Sequence, residues 1–407
     1  MIIKVTPSAA FGRVKAPPSK SMAHRLLICG ALSRQSVISG VAFSEDVKAT
    51  LICLKTLGAD IMINEDTVTI GGIDINKAPA SNKLFCNESG STLRFMIPIC
   101  LALGGYYNLS GSERLFERSL EVYEDICKTQ GISFTKGKSE LSICGKLSAG
   151  KYVVRGDISS QFISGLMFAL PLLPEDSIIE ITNGLESGSY LNLTIKALAD
   201  FGVRITRYDE KTFYIKGGQS YKNRTLKVEG DYSNAAFFEA LNLIGGNVSV
   251  SNLSKTSAQG DRVYKQMFSE IVNGCPSLDI SDCPDLGPIL ITAAALNNGA
   301  RFKGTHRLKI KESDRGVAMA EELLKFGCKI TVSDNEIIVP KCELHTPTMP
   351  LSGHNDHRIV MSLAVLASIY GGEIYGAEAV SKSFPDFFVR LNSIGVKTEV
   401  VTLNETQ

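Results

Sequence analysis

Six glycines set the frame of this chain: Gly58, Gly131, Gly202, Gly274, Gly327 and Gly395, separated by 73, 71, 72, 53 and 68 residues. Each follows a stretch with helical periodicity. In at least four cases two short alternating segments come next, with turns such as 64–66, 209–211 and 333–335. A glycine just past a helix supplies the left-handed residue of a C-terminal cap, and the paired segments read as a hairpin. Glycine is common here, with 36 copies, so the recurring context rather than the spacing alone argues for a repeat. Helices alternating with strands place the chain in the α/β class. Three units end near 216–218 and three more begin near 228–231, with the turn-rich stretch 219–227 between them. Two three-unit domains are therefore expected, and a cleft between domains is a common ligand site.

Composition narrows the function. Apolar residues make up 44% of the chain and charged residues 21%, which excludes disorder. The net charge of +1 supplies no broad basic field for nucleic acid, so any anion site must be local. No stretch reads as a signal peptide or reaches the roughly 18–20 apolar residues of a spanning helix. A cytoplasmic protein is expected, with no nucleic acid or membrane partner. The ten cysteines never form C-x-x-C and mostly sit in apolar segments, as Cys29 and Cys100 do, so buried reduced thiols are expected. His354 and His357 form one close pair, but they lack the thiol or spaced carboxylate partners of a metal site.

The chemistry gathers where helices begin. The stretch 308–315 carries charge on five of its eight side chains, Lys309, Lys311, Glu312, Asp314 and Arg315, between the apolar run 289–296 and a helix expected over 317–326. Such a mixed-charge knot is costly to bury unless it binds something; alternatively it is a solvated helix start capped by Ser313. Pro17 and Pro18 stiffen the approach to Ser19-Lys20-Ser21, which opens a helix bearing His24 and Arg25. Lysine, hydroxyl and helix amides together suit a phosphate. Ser89-Gly90-Ser91 opens a second helix, and Gly90 lets a ligand approach the backbone. Arg114 and Arg118, four residues apart, are expected on one helical face. Ser159-Ser160-Gln161 precedes an apolar helix, and Ser187-Gly188-Ser189-Tyr190 repeats the theme. Asp285 lies between Pro284 and Pro288. Asn355-Asp356-His357-Arg358 opens another helix, and Lys382 precedes the last. Seven cations, Lys20, Arg25, Arg118, Lys311, Arg315, Arg358 and Lys382, exceed what one phosphate needs and match two phosphorylated acids.

These blocks, nine in order from Lys15 onward, resemble the 5-enolpyruvylshikimate-3-phosphate synthases of the enolpyruvyl transferase family. The resemblance implies an inside-out α/β barrel of two domains, each of three β-α-β-α-β-β repeats. The N-terminal strand would join the C-terminal half: 1–14 with 228–407, and 15–227, with hinges near 15–20 and 219–231. It also implies transfer of the carboxyvinyl group of phosphoenolpyruvate to the 5-hydroxyl of shikimate 3-phosphate by addition and elimination, on the chorismate route to aromatic amino acids. Lys20, Ser21, Arg25, Ser159, Ser160, Ser187, Tyr190, Asp285 and Lys311 would hold shikimate 3-phosphate. Lys20, Gly90, Arg118, Gln161, Arg315, Arg358 and Lys382 would hold phosphoenolpyruvate. Asp285 would be the base and Glu312 the acid, with Lys20 and His357 assisting proton transfer. A monomer that closes over its substrates and needs no metal or organic cofactor is implied. Two departures stand out: Arg307 where asparagine is familiar, and Glu88-Ser89-Gly90-Ser91 in place of Asn-Ala-Gly-Thr. The sister enzyme acting on UDP-N-acetylglucosamine usually has Lys-Asn in the first loop and a cysteine near Arg118; here the pair is Lys20-Ser21 and 112–119 has no cysteine. A DNA clamp, also built from six α/β units, would need a basic inner surface. A catalytically dead binding protein would not need Lys20, Asp285 and Glu312.

Overall fold

The computed structural model describes residues 1–74, 77, 81–184 and 188–401. The chain divides into two compact units: a middle unit, Pro18–Glu229, and a terminal unit of Met1–Pro17 with Gly230–Gln407. In each, three apolar helices are buried along almost their whole length. They are Lys20–Leu32, Gly90–Leu103 and Ser160–Ala169 in the middle unit, and Tyr232–Ala240, Gly287–Leu296 and His357–Tyr370 in the terminal unit. A helix apolar on every side must be enclosed, and four-stranded sheets and amphipathic helices such as Glu121–Thr129 and Arg315–Lys325 supply the enclosure.

Among the described residues five sheets repeat one pattern, a parallel pair followed by two antiparallel strands, which form a hairpin in four of them. In one, Lys83–Phe85 runs parallel to Gly105–Ser110, which pairs antiparallel with Glu140–Gly145 and through it with Ser133–Lys136. The chain closes each unit on itself. Thr225–Lys227 lies parallel to Gln35–Ser39, so the turn-rich stretch 219–227 ends in a strand of the middle unit. Ile2–Thr6 sits between Gly372–Tyr375 and Lys397–Val401, antiparallel to both, where a hairpin strand stands elsewhere. The sixth sheet has two strands, Phe11–Lys15 parallel to Asn247–Ser251.

This explains the glycine ladder. Gly58, Gly131, Gly202, Gly327 and Gly395 all have positive φ, between 68° and 106°. Gly274 is extended, at 175°, because no hairpin follows the helix Tyr264–Asn273; the next strand, Ser277–Asp279, already belongs to the following sheet.

Two local expectations are corrected. The helix Glu113–Glu117 ends one residue before Arg118, which is extended, so Arg114 and Arg118 do not share a helical face. Not all the cysteines are reduced: Cys328 and Cys342 form a disulfide, with Cα atoms 5.4 Å apart. The left-handed turn at Gly327 sends the chain back along the helix end, where His345 N donates to Phe326 O at 3.0 Å, and this brings the two cysteines together. No helix among the described residues is long and apolar enough to cross a membrane.

Ile3 is 3% exposed at the centre of its sheet. Ile3→Ala is expected to lower unfolding free energy by about 2–5 kcal/mol, read as a lower urea midpoint, whereas Val400→Ala, 61% exposed, is expected to stay within roughly 0.5 kcal/mol of wild type.

Candidate active site

The three buried helices of the middle unit start alike. Ser19, Ser89 and Ser159 are their N-caps, each accepting a bond from a backbone amide of its own helix. Lys20, Gly90 and Ser160 are the first helical residues, so the sequence-predicted groups stand where unpaired helix amides and the helix dipole favour an anion. Side chains tie these ends together. His24 Nδ1 lies 2.7 Å from Thr50 Oγ1, Thr50 Oγ1 lies 2.7 Å from Thr92 Oγ1, and Thr92 Oγ1 donates to the cap Ser89 at 2.7 Å. Burial first, then Lys20 and Arg25, push His24 down to about 3, so the ring is neutral and serves this chain rather than proton transfer.

Arg25 donates to Thr194 Oγ1, Ser21 O and Tyr190 O at 2.8, 2.7 and 3.1 Å. Ser21 and Tyr190 thus reach Arg25 through their carbonyls. Burial lowers the guanidinium to about 10, although Tyr190 opposes the shift. Lys20 Nζ pairs with Asp46 at 2.8 Å. Arg118 lies against Gly90: a Cβ there would stand 2.5 Å from its Nη1. Gln161 accepts from Arg94 at 2.8 Å and donates to Ser91 at 2.9 Å. Arg94, left out of the expected ligand set, is buried, stacks 4.9 Å from the Phe162 ring and fixes Gln161. Its signal was its position one turn into the Gly90 helix. Ser160 is buried beside Gln161. Ser187 lies outside the described residues.

In the terminal unit the expected groups meet at Arg315, 1% exposed. Its Nε donates to Asp356 at 2.9 Å, its Nη1 to Asp285 at 2.9 Å and its Nη2 to Glu312 at 2.8 Å. Lys311 donates to Asp285 Oδ1 at 3.2 Å. Arg358 reaches Asp285 Oδ2 and Ser233 Oγ, each at 3.0 Å, and Ser233 bonds Asp231 at 2.6 Å. Burial opposes the charge on Asp285, but Arg358, Lys311 and Arg315 together outweigh it and hold the carboxyl well below its ordinary range. Burial brings Lys311 down to about 8 against the pull of Asp285, with Arg307 and Arg315 adding to the fall. His357 is buried, its Nδ1 3.9 Å from Asp356 Oδ1, too long for a hydrogen bond. Lys382 donates to Asn355 O at 2.7 Å. The knot at 308–315 is therefore not a solvated cap: Asp314 caps the helix Arg315–Lys325, and Ser313 instead donates to Asp356 at 3.1 Å. Arg307 is also buried.

The enolpyruvyl transferase model described as EPSP synthase (3-phosphoshikimate 1-carboxyvinyltransferase) matches residues 5–391. The chain belongs to the EPSP synthase family. The 3-phosphoshikimate 1-carboxyvinyltransferase of Clostridium perfringens is 41% identical over 415 residues, covering 96% of this chain and 97% of the relative. That of Clostridioides difficile is 40% identical, covering 97% of each. A solved EPSP synthase from Acinetobacter baumannii has a TM-score of 0.81 at 23% identity, covering 98% of this chain and 100% of that one. The enolpyruvyl transferase NikO of Streptomyces tendae has a TM-score of 0.80 at 13% identity, covering 99% of each chain. These two show that the six-sheet fold is the enolpyruvyl transferase fold. The family's reaction, EC 2.5.1.19, belongs to aromatic amino acid biosynthesis through chorismate.

Sequence reasoning also missed Asp261, which opens no apolar helix and whose neighbour Arg262 turns to Ser257 O instead. Its Oδ1 is buried with no hydrogen-bond partner among the described residues. Burial, then Asp285, raises its carboxyl from 3.8 to about 8. The unfolded chain releases this proton near the ordinary value while the folded protein keeps it. The stabilising contribution is thus full below about 3.8 and is lost as pH rises through 8. Asp261→Asn is expected to gain stability over wild type progressively between about pH 5 and pH 8, by urea unfolding at each pH. A pH-independent difference would reject this protonation state.

Proposed function

We propose that this chain transfers the carboxyvinyl group of phosphoenolpyruvate to the 5-hydroxyl of shikimate 3-phosphate, releasing phosphate. The observation that carries the reading is one buried cation shared by two acids: Arg315 bonds both Asp285 and Glu312. In the addition step the 5-oxygen bonds C2 of phosphoenolpyruvate and its proton passes to Asp285, while Glu312, having taken a proton from solvent as substrate draws Arg315 away, delivers it to C3. In the elimination step the C2–phosphate oxygen bond breaks, C3 returns its proton to Glu312, and the phosphate leaves with the proton held by Asp285. A carboxylate bonded by three cations is a weak base. Substrate phosphate and carboxylate groups compete with Asp285 for Arg315, Arg358 and Lys311, and each donor they draw away makes Asp285 more basic. The same cations, with Lys382, then offset charge on the departing phosphate.

Lys20, Ser21, Arg25, Ser159, Ser160, Ser187, Tyr190, Asp285 and Lys311 are assigned to shikimate 3-phosphate. Lys20, Gly90, Arg118, Gln161, Arg315, Arg358 and Lys382 are assigned to phosphoenolpyruvate, and Lys20 and His357 assist proton movement. The protein acts as a cytoplasmic monomer on these small acids.

Phosphate release is expected from phosphoenolpyruvate with shikimate 3-phosphate and not with UDP-N-acetylglucosamine; the opposite preference would overturn the reading. Asp285→Ala and Glu312→Ala should each lower kcat by about 10²–10⁴-fold in protein that is still folded at the assay temperature, although loss of an acceptor of buried Arg315 lowers the unfolding temperature; near-normal turnover would remove the residue from its role. Gly90→Ala, which forces Arg118 aside, is expected to raise KM for phosphoenolpyruvate by about tenfold or more, with KM for shikimate 3-phosphate little changed.

A further inference from the structure

Behind the ion cluster lies a second polar group that the proposed reaction does not use. Glu322 is 1% exposed, seven residues along the same helix as Arg315. His354 Nε2 lies 2.9 Å from its Oε1. Lys325 Nζ reaches its two oxygens at 2.8 and 2.9 Å, and Ser352 N donates to Oε2 at 3.0 Å. Burial works against the charge, yet the bonds from His354, Lys325 and Ser352 outweigh it and hold the carboxyl below its usual value. A buried carboxylate with this many donors is a stiff anchor.

What it anchors is the turn 352–356. His354 and Asn355 both adopt left-handed backbone, with φ of 47° and 52°, a conformation that side chains other than glycine keep only when their surroundings enforce it. Gly353 N is bonded to Tyr375 O at 2.7 Å, and Asp356 N to Gly353 O at 2.8 Å. The turn then presents two acceptors in succession. Asn355 O takes Lys382 Nζ at 2.7 Å. Asp356 takes Arg315 Nε at 2.9 Å and the amide of Arg358 at 2.9 Å. Three cations assigned to phosphoenolpyruvate are thus referenced to one five-residue turn. Helix and turn are joined at two levels, Arg315 with Asp356 and Glu322 with His354, so the second contact fixes the angle at which the first is made.

We propose that Glu322 and His354 are a positioning pair that sets the turn 352–356, and through it Arg315, Arg358 and Lys382, for the phosphoenolpyruvate anion. The inference rests on the function proposed above. Neither residue touches substrate. A pair that only glued the helix to the turn would weaken both substrates alike.

The test is steady-state kinetics on full-length His354→Ala, His354→Gln and Glu322→Gln, varying each substrate with the other saturating, alongside thermal unfolding. His354→Ala and Glu322→Gln are expected to raise KM for phosphoenolpyruvate about tenfold while kcat and KM for shikimate 3-phosphate stay within about twofold. His354→Gln, whose amide can still donate to Glu322, is expected to restore most of that loss. The pair's role is overturned if His354→Ala keeps the wild-type KM, if both KM values rise equally, or if glutamine does no better than alanine. Should Glu322→Gln fail to fold, the two His354 variants decide, because that side chain is 22% exposed. Absence of phosphate release by the wild-type protein overturns the substrate reading itself, and the pair's role falls with it.

Discussion

A guanidinium sealed from water among three carboxylates is the constraint around which the terminal unit is built. Removing one such ion from water costs several kcal/mol, recovered only when hydrogen bonds are complete and opposite charges close. Arg315 meets that condition by aiming its three nitrogens at Asp356, Asp285 and Glu312. These acceptors come from three chain segments, two of them at the starts of Gly287–Leu296 and His357–Tyr370. The ion cluster therefore specifies how those helix starts meet, which apolar packing among all-round buried helices leaves poorly defined. Lys311, Arg315 and Arg358 are paired directly with Asp285, Glu312 and Asp356, while Asp261 is kept protonated at neutral pH.

The middle unit solves the same packing problem with neutral hydrogen bonds beside the Lys20–Asp46 ion pair. Its helix starts are linked by Ser89, Thr92, Thr50 and the uncharged His24 ring, and Arg25 is bonded to a hydroxyl and two carbonyls. Those partners satisfy the hydrogen-bond geometry of Arg25 without cancelling its charge. An anion arriving there meets a cation that already has its orientation and, among the described residues, is held by neutral acceptors. In the terminal unit an anion must instead displace carboxylates.

Much of this was legible from residue order. The glycine ladder marks helix ends because only a left-handed residue turns the chain there, and five of the six glycines have positive φ. It failed at Gly274, where the hairpin that would follow is missing and the N-terminal strands Ile2–Thr6 and Phe11–Lys15 complete the unit from more than 200 residues away. No local pattern encodes such a pairing. The site was legible where polar residues opened apolar helices, as at Lys20, Gly90 and Arg358. It was not legible at Asp261 or Glu322, each an ordinary acid in an ordinary stretch whose meaning comes from burial beside distant groups. Arg118 illustrates the limit of spacing: four residues from Arg114, it nevertheless leaves the helix and turns to Gly90. Ser313 shows the same for capping, since Asp314 takes the cap and frees the hydroxyl for Asp356.

The balance of charges in the terminal unit also bears on why Asp285 is so heavily bonded. A carboxylate held by Lys311, Arg315 and Arg358 is poorly suited to take a proton from an alcohol, and it would remain so if those donors were fixed. They are shared, however: Arg315 also holds Glu312, and Arg358 also holds Ser233. A phosphate or carboxylate that claims one of these guanidinium groups loosens Asp285 and changes the surroundings of Glu312 in the same movement. On the roles proposed above, base and acid are prepared by the substrate whose bond is to be rearranged; without it Asp285 and Glu312 are counter-ions of Arg315. On this argument the buried network is less a fixed scaffold than a set of bonds that must be exchangeable at Asp285 and rigid at Asp356. The turn 352–356 supplies the rigid side, since Asp356 is wholly buried and bonded by Arg315 Nε, Ser313 and its own helix start.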